Sequence, residues 1–123
     1  MPTILVVDDE RLGRTVLSKM LRAGGHGVTE TANGQQALSY LEHHLVNVVV
    51  TDVIMPKKDG LETISEIRRR YPNTRIIAIS GGARPSGPGA LATARALGAN
   101  GTLAKPFRQK ALLDLVDQLM RSR

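Results

Sequence analysis

The chain has 123 residues, 41% of them hydrophobic and 23% charged, with a formal net charge of +6: enough for one compact domain spanning residues 1–123, with no room for an output domain beside it. It contains no cysteine, which excludes disulfides, thiolate metal sites and a cysteine nucleophile. No apolar stretch is long enough to span a bilayer, and Met1-Pro2-Thr3 runs straight into Ile4-Leu5-Val6-Val7 without a signal peptide's basic and apolar regions, so a cytoplasmic protein with no membrane partner is expected.

Short apolar runs alternate with helical patterns along the whole chain. Ile4-Leu5-Val6-Val7 reads as a strand, and Leu12, Val16, Leu17, Met20 and Leu21 as the apolar face of the helix after it. Val28-Thr29-Glu30-Thr31 is a weaker, alternating strand. Asn33-Gly34 then opens a helix carrying Ala37, Leu38, Leu41 and Leu45. Val48-Val49-Val50 precedes a helix with Leu61, Ile64 and Ile67. Ile76-Ile77-Ala78-Ile79 leads through a long Gly/Pro-rich loop, Gly81 to Gly89, into an Ala-rich helix around Leu91 to Leu97. Thr102-Leu103-Ala104 is the last strand, followed by a helix presenting Leu112, Leu113, Val116, Leu119 and Met120.

Strand–helix alternation at this spacing predicts an α/β fold, a (βα)5 doubly wound parallel sheet with helices on both faces. Strands one, three and four are apolar throughout, as central strands should be, and strand two reads as an edge. That assignment is compatible with the flavodoxin-like order 2-1-3-4-5, whose switch point lies between strands one and three.

The residues at the strand ends are informative. Strand one runs into Asp8-Asp9-Glu10, strand three into Asp52, strand four into Ser80 and strand five into Lys105. In an open parallel sheet these ends share one edge, where ligands bind. Asp8, Asp9 and Asp52 would repel one another without a cation among them, and hard oxygen ligands without His or Cys point to Mg²⁺. Beside a divalent ion, a lysine and a hydroxyl, phosphoryl transfer onto a carboxylate becomes feasible, because that chemistry needs positioning and charge neutralisation above all. Asp52 would attack as nucleophile. Asp9 and Asp52 would hold the ion, Lys105 would pair with one phosphoryl oxygen, and Ser80 would hydrogen-bond another.

Val6-Val7-Asp8-Asp9-Glu10, Asp52-Val53-Ile54-Met55-Pro56 with Asp59-Gly60, Ser80, Gly98-Ala99 and Lys105-Pro106-Phe107 together resemble the response-regulator receiver domain over the whole chain. The resemblance implies that Asp52 accepts a phosphoryl group from phosphohistidine. It implies that Asp9 ligates Mg²⁺ directly and Asp8 through water, with the Ile54 backbone carbonyl completing the protein's share. Ser80 would move toward the phosphoryl group, Lys105 would be its charged partner, and Lys105-Pro106 would be cis. The implied partners are a sensor histidine kinase or histidine phosphotransfer protein and a downstream target protein, contacted through the face of helix four, strand five and helix five. Thr102 stands where many receivers carry a Tyr or Phe that swings inward, and the chain ends just after its fifth helix, as in a stand-alone receiver.

Such a chain would be a signalling switch rather than a metabolic enzyme. An aspartyl-phosphate phosphatase would need a second Asp two positions after the nucleophile, where Ile54 stands. A docking module independent of phosphorylation draws support from Thr102 and is opposed by the complete Asp8, Asp9, Asp52, Ser80 and Lys105 set. Specific nucleic-acid binding has only the net charge behind it: Lys57-Lys58, Arg68-Arg69-Arg70, Arg75, Arg121 and Arg123 have no interleaved aromatics and read as solvated helix ends and loops. His26, His43 and His44 read as surface residues, and Tyr40 and Tyr71 as packing residues. Ile54 and Gly82, two positions beyond Asp52 and Ser80, offer no group to orient a hydrolytic water, so a long-lived phosphorylated form is expected.

Overall fold

The computed structural model describes residues 2–53, 60–81 and 87–121. Five parallel strands, β1 (Thr3–Val7), β2 (Gly27–Thr31), β3 (Val48–Asp52), β4 (Arg75–Gly81) and β5 (Gly101–Lys105), pair in the order β2-β1-β3-β4-β5. The helices between and after them are α1 (Arg11–Ala23), α2 (Gly34–Leu41), α3 (Gly60–Arg70), α4 (Gly87–Leu97) and α5 (Gln109–Arg121). The expected topology is the one found, with β2 at an edge.

Strand periodicity divides the core in two. Leu5, Val7, Val49, Ile76 and Ala78 face one way and pack with Ala37, Leu38, Leu41, Ile64, Ile67, Ala90 and Ala94 of α2, α3 and α4. Ile4, Val6, Val48, Val50, Ile77 and Ile79 face the other way, against Leu17, Leu21, Leu112, Val116 and Leu119 of α1 and α5. Tyr40 and Tyr71 pack against the first of these clusters, as expected of them. With a helix layer on each face and hydrogen bonds along each edge, the central strands have one place left to present polar groups, their ends.

Several expectations need correcting. Leu12 and Val16 are 77% and 43% exposed. At 100° per residue Leu12 lies about 180° around the helix from Leu21, so the inward stripe of α1 is Leu17, Ser18 and Leu21 instead. Leu45 is 98% exposed because α2 stops at Leu41, four residues earlier, and Met120 sits at the rim of α5. The loop after β4 is shorter than the expected Gly81–Gly89 span, since Gly81 belongs to β4 and Gly87 to α4. His43 and His44 are exposed, but His26 is buried. The helix ending explains His26. Gly25, at φ +89°, reverses the chain after α1, and the Gly25 and His26 amides bond back to the Arg22 and Leu21 carbonyls. That Schellman geometry turns the residue after the glycine back against the helix.

The basic run at the end of α3 is not merely solvated. Arg70 pairs with Glu66 and Glu42, and Arg75 bonds to the Leu119 and Asn73 carbonyls. Arg68 donates through Nε and Nη2 to the Gly98 carbonyl at 3.1 and 2.9 Å, through Nη2 to Asn100 Oδ1, and through Nη1 to the Pro72 carbonyl. Gly98, at φ +126°, is the reversal point after α4, with Gly98 and Ala99 amides bonded back to Arg95 and Ala94. Arg68 thus completes the C-terminal cap of α4 from a neighbouring helix. Burial and the nearby Arg75 push its guanidinium pKa down, but it stays charged at any ordinary pH. Arg68→Ala leaves the part-buried Gly98 carbonyl without its side-chain donor, so a stability loss of about 1 kcal/mol is expected. Hydrogen exchange should quicken most at Gly98–Asn100. Exchange spread evenly over the chain would contradict the capping role.

Candidate functional site

The parallel register lines up the C-terminal strand ends. Val7 is opposite Thr51, which puts Asp8 level with Asp52. Asp52 is opposite Ile79, with Ser80 one residue on, and Gly81 is opposite Lys105. Asp52 and Lys105 close their strands, Ser80 is the penultimate residue of β4, and Asp8 comes directly after β1. Asp8, Asp52, Ser80 and Lys105 therefore gather at one end of the sheet, as the strand-end argument requires. Lys105 Nζ lies 3.5 Å from Asp52 Oδ2. The Lys105–Pro106 peptide is cis. Asp9 is exposed.

Local hydrogen bonds fix this arrangement. The Asp8 amide bonds to the Thr31 carbonyl at 3.1 Å, and Thr31 Oγ1 donates to the Val6 carbonyl, so β2 braces the end of β1. Arg14 Nη1 donates to the Asp8 carbonyl at 2.8 Å while its Nε stands 3.6 Å from Glu30. Thr51 Oγ1 donates to the Asp52 carbonyl at 2.9 Å.

Two side chains here are buried and incompletely satisfied. Asp8 is fully buried: its Oδ1 accepts the Glu10 amide at 2.9 Å, while its Oδ2 has no hydrogen-bond partner among the described residues. Ser80 is 1% exposed with its Oγ likewise unpartnered. Burial raises the Asp8 pKa above its usual 3.8. The Glu10 amide opposes that shift, Asp52 adds to it, Lys105 opposes it and Asp9 adds to it. The folded protein thus keeps this proton at pH values where the unfolded chain has released it. Asp8 stabilises the fold least above its raised pKa, and stability falls as pH climbs from about 3.8 through that value. Asp8→Asn is therefore expected to raise the melting temperature of the metal-free protein at neutral pH. An unchanged or lower melting temperature would mean that the buried charge is compensated within the protein.

A buried acceptor oxygen without a donor, beside a second carboxylate, suits a hard divalent cation. Among the described residues no three His, Cys, Asp or Glu side chains form a metal-binding group. An ion that takes one or two carboxylates and keeps its waters, as Mg²⁺ does, would suit this pair. Ile54, whose carbonyl was expected to complete the set, and Gly82 lie outside the described residues, as do Lys57, Lys58 and Arg123.

Two nearby residues carry more than their sequence context suggests. A β carbon at Gly60 would run into the backbone of Asp52 and Val53, and one at Gly13 would meet the Asp8 carboxylate, which would have to turn aside. Their only sequence signal is a glycine inside or opening a helical pattern.

A family model described as the response regulator receiver domain matches residues 4–117. Among curated proteins, the chain is 35% identical over 123 residues to the DNA-binding transcriptional regulator NtrC of Azospirillum brasilense, covering 98% of this chain and 24% of that one. It is 31% identical to the transcriptional regulatory protein CpxR of Escherichia coli, covering 98% and 50%. It thus spans half or less of these relatives. Among solved structures, the chemotaxis response regulator CheY4 of Vibrio cholerae superposes with a TM-score of 0.82 at 30% identity, covering 97% of this chain and 98% of that one. The receiver domain of NtrX from Brucella abortus superposes with a TM-score of 0.91 at 25% identity, covering 98% and 99%. Among the described residues, no helix is long and apolar enough to cross a membrane.

Proposed function

Because the chain belongs to the response-regulator receiver family of two-component signalling, we propose that it is a cytoplasmic, Mg²⁺-dependent phosphoryl switch whose acceptor is Asp52. The observation that carries this reading is the Asp52 carboxylate at the end of the central strand β3, 3.5 Å from the Lys105 ammonium and level with the buried, half-satisfied Asp8.

The proposed reaction begins with an Asp52 carboxylate oxygen in line with the phosphorus of a phosphohistidine on a histidine kinase or phosphotransfer protein. As the new O–P bond forms, the P–N bond breaks and its electron pair returns to the imidazole nitrogen, which takes up a proton. Lys105 neutralises one equatorial oxygen, and Ser80 Oγ, without a partner among the described residues, donates to a second. Lys105 already stands beside Asp52 before reaction, so part of this neutralisation is in place in advance. Mg²⁺ held by Asp9 and Asp52, with Asp8 reached through water and the Ile54 carbonyl as a further ligand, would supply charge neutralisation on the phosphoryl oxygens.

The product is an acyl phosphate whose extra negative charge draws Ser80 and Lys105 inward. Ser80 is in β4, which leads into α4, and Lys105 closes β5 ahead of α5, so the α4–β5–α5 face should carry the signal to a downstream protein. Thr102, half-buried in β5, replaces the usual aromatic there. The full set of Asp8, Asp9, Asp52, Ser80 and Lys105 argues against docking independent of phosphorylation. The chain acts as a switch rather than as a metabolic enzyme, with no specific nucleic-acid partner.

Incubation with a small acyl phosphate and Mg²⁺ tests this reading. One phosphoryl group, labile to base and to hydroxylamine, should be gained, and EDTA should prevent it. Amide NMR shifts should then extend along α4, β5 and α5. Shifts confined to the pocket would separate phosphorylation from signalling, and uptake that persists in EDTA would defeat the metal requirement.

A further inference from the structure

Asp8 is held from two sides. Its Oδ1 accepts the Glu10 amide, and its Oδ2 is turned toward Gly13, in the first turn of α1. A β carbon added to Gly13 would stand 2.7 Å from Asp8 Oδ2 and 3.6 Å from Asp8 Cγ. Carbon and oxygen that are not bonded do not approach so closely, so one of the two must yield. The backbone at Gly13 is poorly placed to do so. Its helix is pinned at this end by the Arg14 amide on the Glu10 carbonyl at 2.9 Å and by Arg14 Nη1 on the Asp8 carbonyl. The carboxylate can rotate, but only by giving up the Glu10 amide. Glycine is a poor helix former, and inside a helix it is explained by a close approach that no other residue allows.

We propose that Gly13 is a positioning residue for the divalent cation: by lacking a side chain it keeps the Asp8 carboxylate facing the pocket shared with Asp9 and Asp52. The proposal rests on the reading of that pocket as a Mg²⁺ site. Asp8 is there the partner that orients the ion's water, and loss of such a partner weakens metal affinity by roughly tenfold to a hundredfold.

The test uses the full chain, unsubstituted and as Gly13→Ala, titrated with Mg²⁺ and followed by calorimetry and amide NMR. Gly13→Ala should raise the Mg²⁺ dissociation constant about tenfold or more. In the metal-free protein the Glu10 amide proton should move upfield as its acceptor swings away. A dissociation constant within about twofold of the unsubstituted chain's, or an unmoved Glu10 resonance, would overturn the proposal. Should Gly13→Ala not fold, the double variant Asp8→Ala with Gly13→Ala decides. Recovery of folding supports the contact, and failure where Asp8→Ala alone folds overturns it. If the unsubstituted chain binds no Mg²⁺, the pocket reading itself is wrong and the proposal falls with it. Unchanged affinity in Gly13→Ala alongside normal binding by the parent defeats only the role of Gly13.

Discussion

Asp52→Asn should take up no phosphoryl group under conditions that load the unsubstituted chain completely. An amide oxygen carries no full negative charge and cannot form a stable acyl phosphate, so the loss is total rather than graded. The substitution should not unfold the protein. The asparagine would keep the shape of the side chain, and removing the charge takes away one of the influences that raise the Asp8 pKa, leaving Asp8 easier to ionise. Lys105 would lose the carboxylate 3.5 Å away, but its side chain is about a third exposed and water can replace the partner. Mass spectrometry of the intact chain before and after hydroxylamine would decide the matter. Label retained by Asp52→Asn would move the acceptor elsewhere on the sheet edge.

Gly60→Ala should be the most damaging single methyl in the described structure. Gly60 opens α3 directly over the end of β3, and a β carbon there would run into the Asp52 carbonyl oxygen and stand 2.6 Å from Val53 Cα. Both are backbone atoms, so no rotamer change relieves the contact. The same carbonyl already accepts Thr51 Oγ1 at 2.9 Å, and Val53 is pinned by its amide to the Ile79 carbonyl at 2.9 Å. A loss near the upper end of overpacking costs, about 3 kcal/mol, is expected. Phosphoryl uptake should slow as well, since the strand end carrying Asp52 must move. Urea unfolding together with the rate of uptake would check both effects. A stability change under about 0.5 kcal/mol would mean that α3 can slide away without strain.

How much of this was legible in the sequence depends on which forces are local. Strand order could be argued because the apolar runs Ile4–Val7, Val48–Val50 and Ile76–Ile79 announce double burial, while Val28–Thr31 alternates. The site could be assembled because a parallel sheet sends Asp8, Asp52, Ser80 and Lys105 to one edge whatever the details. The orientation of α1 was harder. Leu12 and Val16 fit a helical spacing as well as Leu17 and Leu21 do, and only the sheet decides which stripe turns inward. His26 was misplaced because its burial depends on a left-handed glycine just before it. The role of Arg68 comes from a contact across the fold, since it and the Gly98 carbonyl are thirty residues apart in sequence, and those of Gly13 and Gly60 come from how closely the folded chain brings their helices to Asp8, Asp52 and Val53.

The clamp of Arg68 on the end of α4 makes that helix a lever with a fixed fulcrum. Its eleven residues give an arm of about 16 Å at 1.5 Å per residue. The held end is at Gly98, and the other end, Gly87, lies on the side of the sheet where Ser80 sits. A rod fastened this way answers a push by rotating rather than sliding, and its displacement shrinks to nothing at the fastening. A tilt of about 10° would carry the far end some 3 Å on this arm, while the start of β5, tied to Arg68 through Asn100, stayed in register with β4. Movement at the pocket would thus be read out as a graded change of slope along α4.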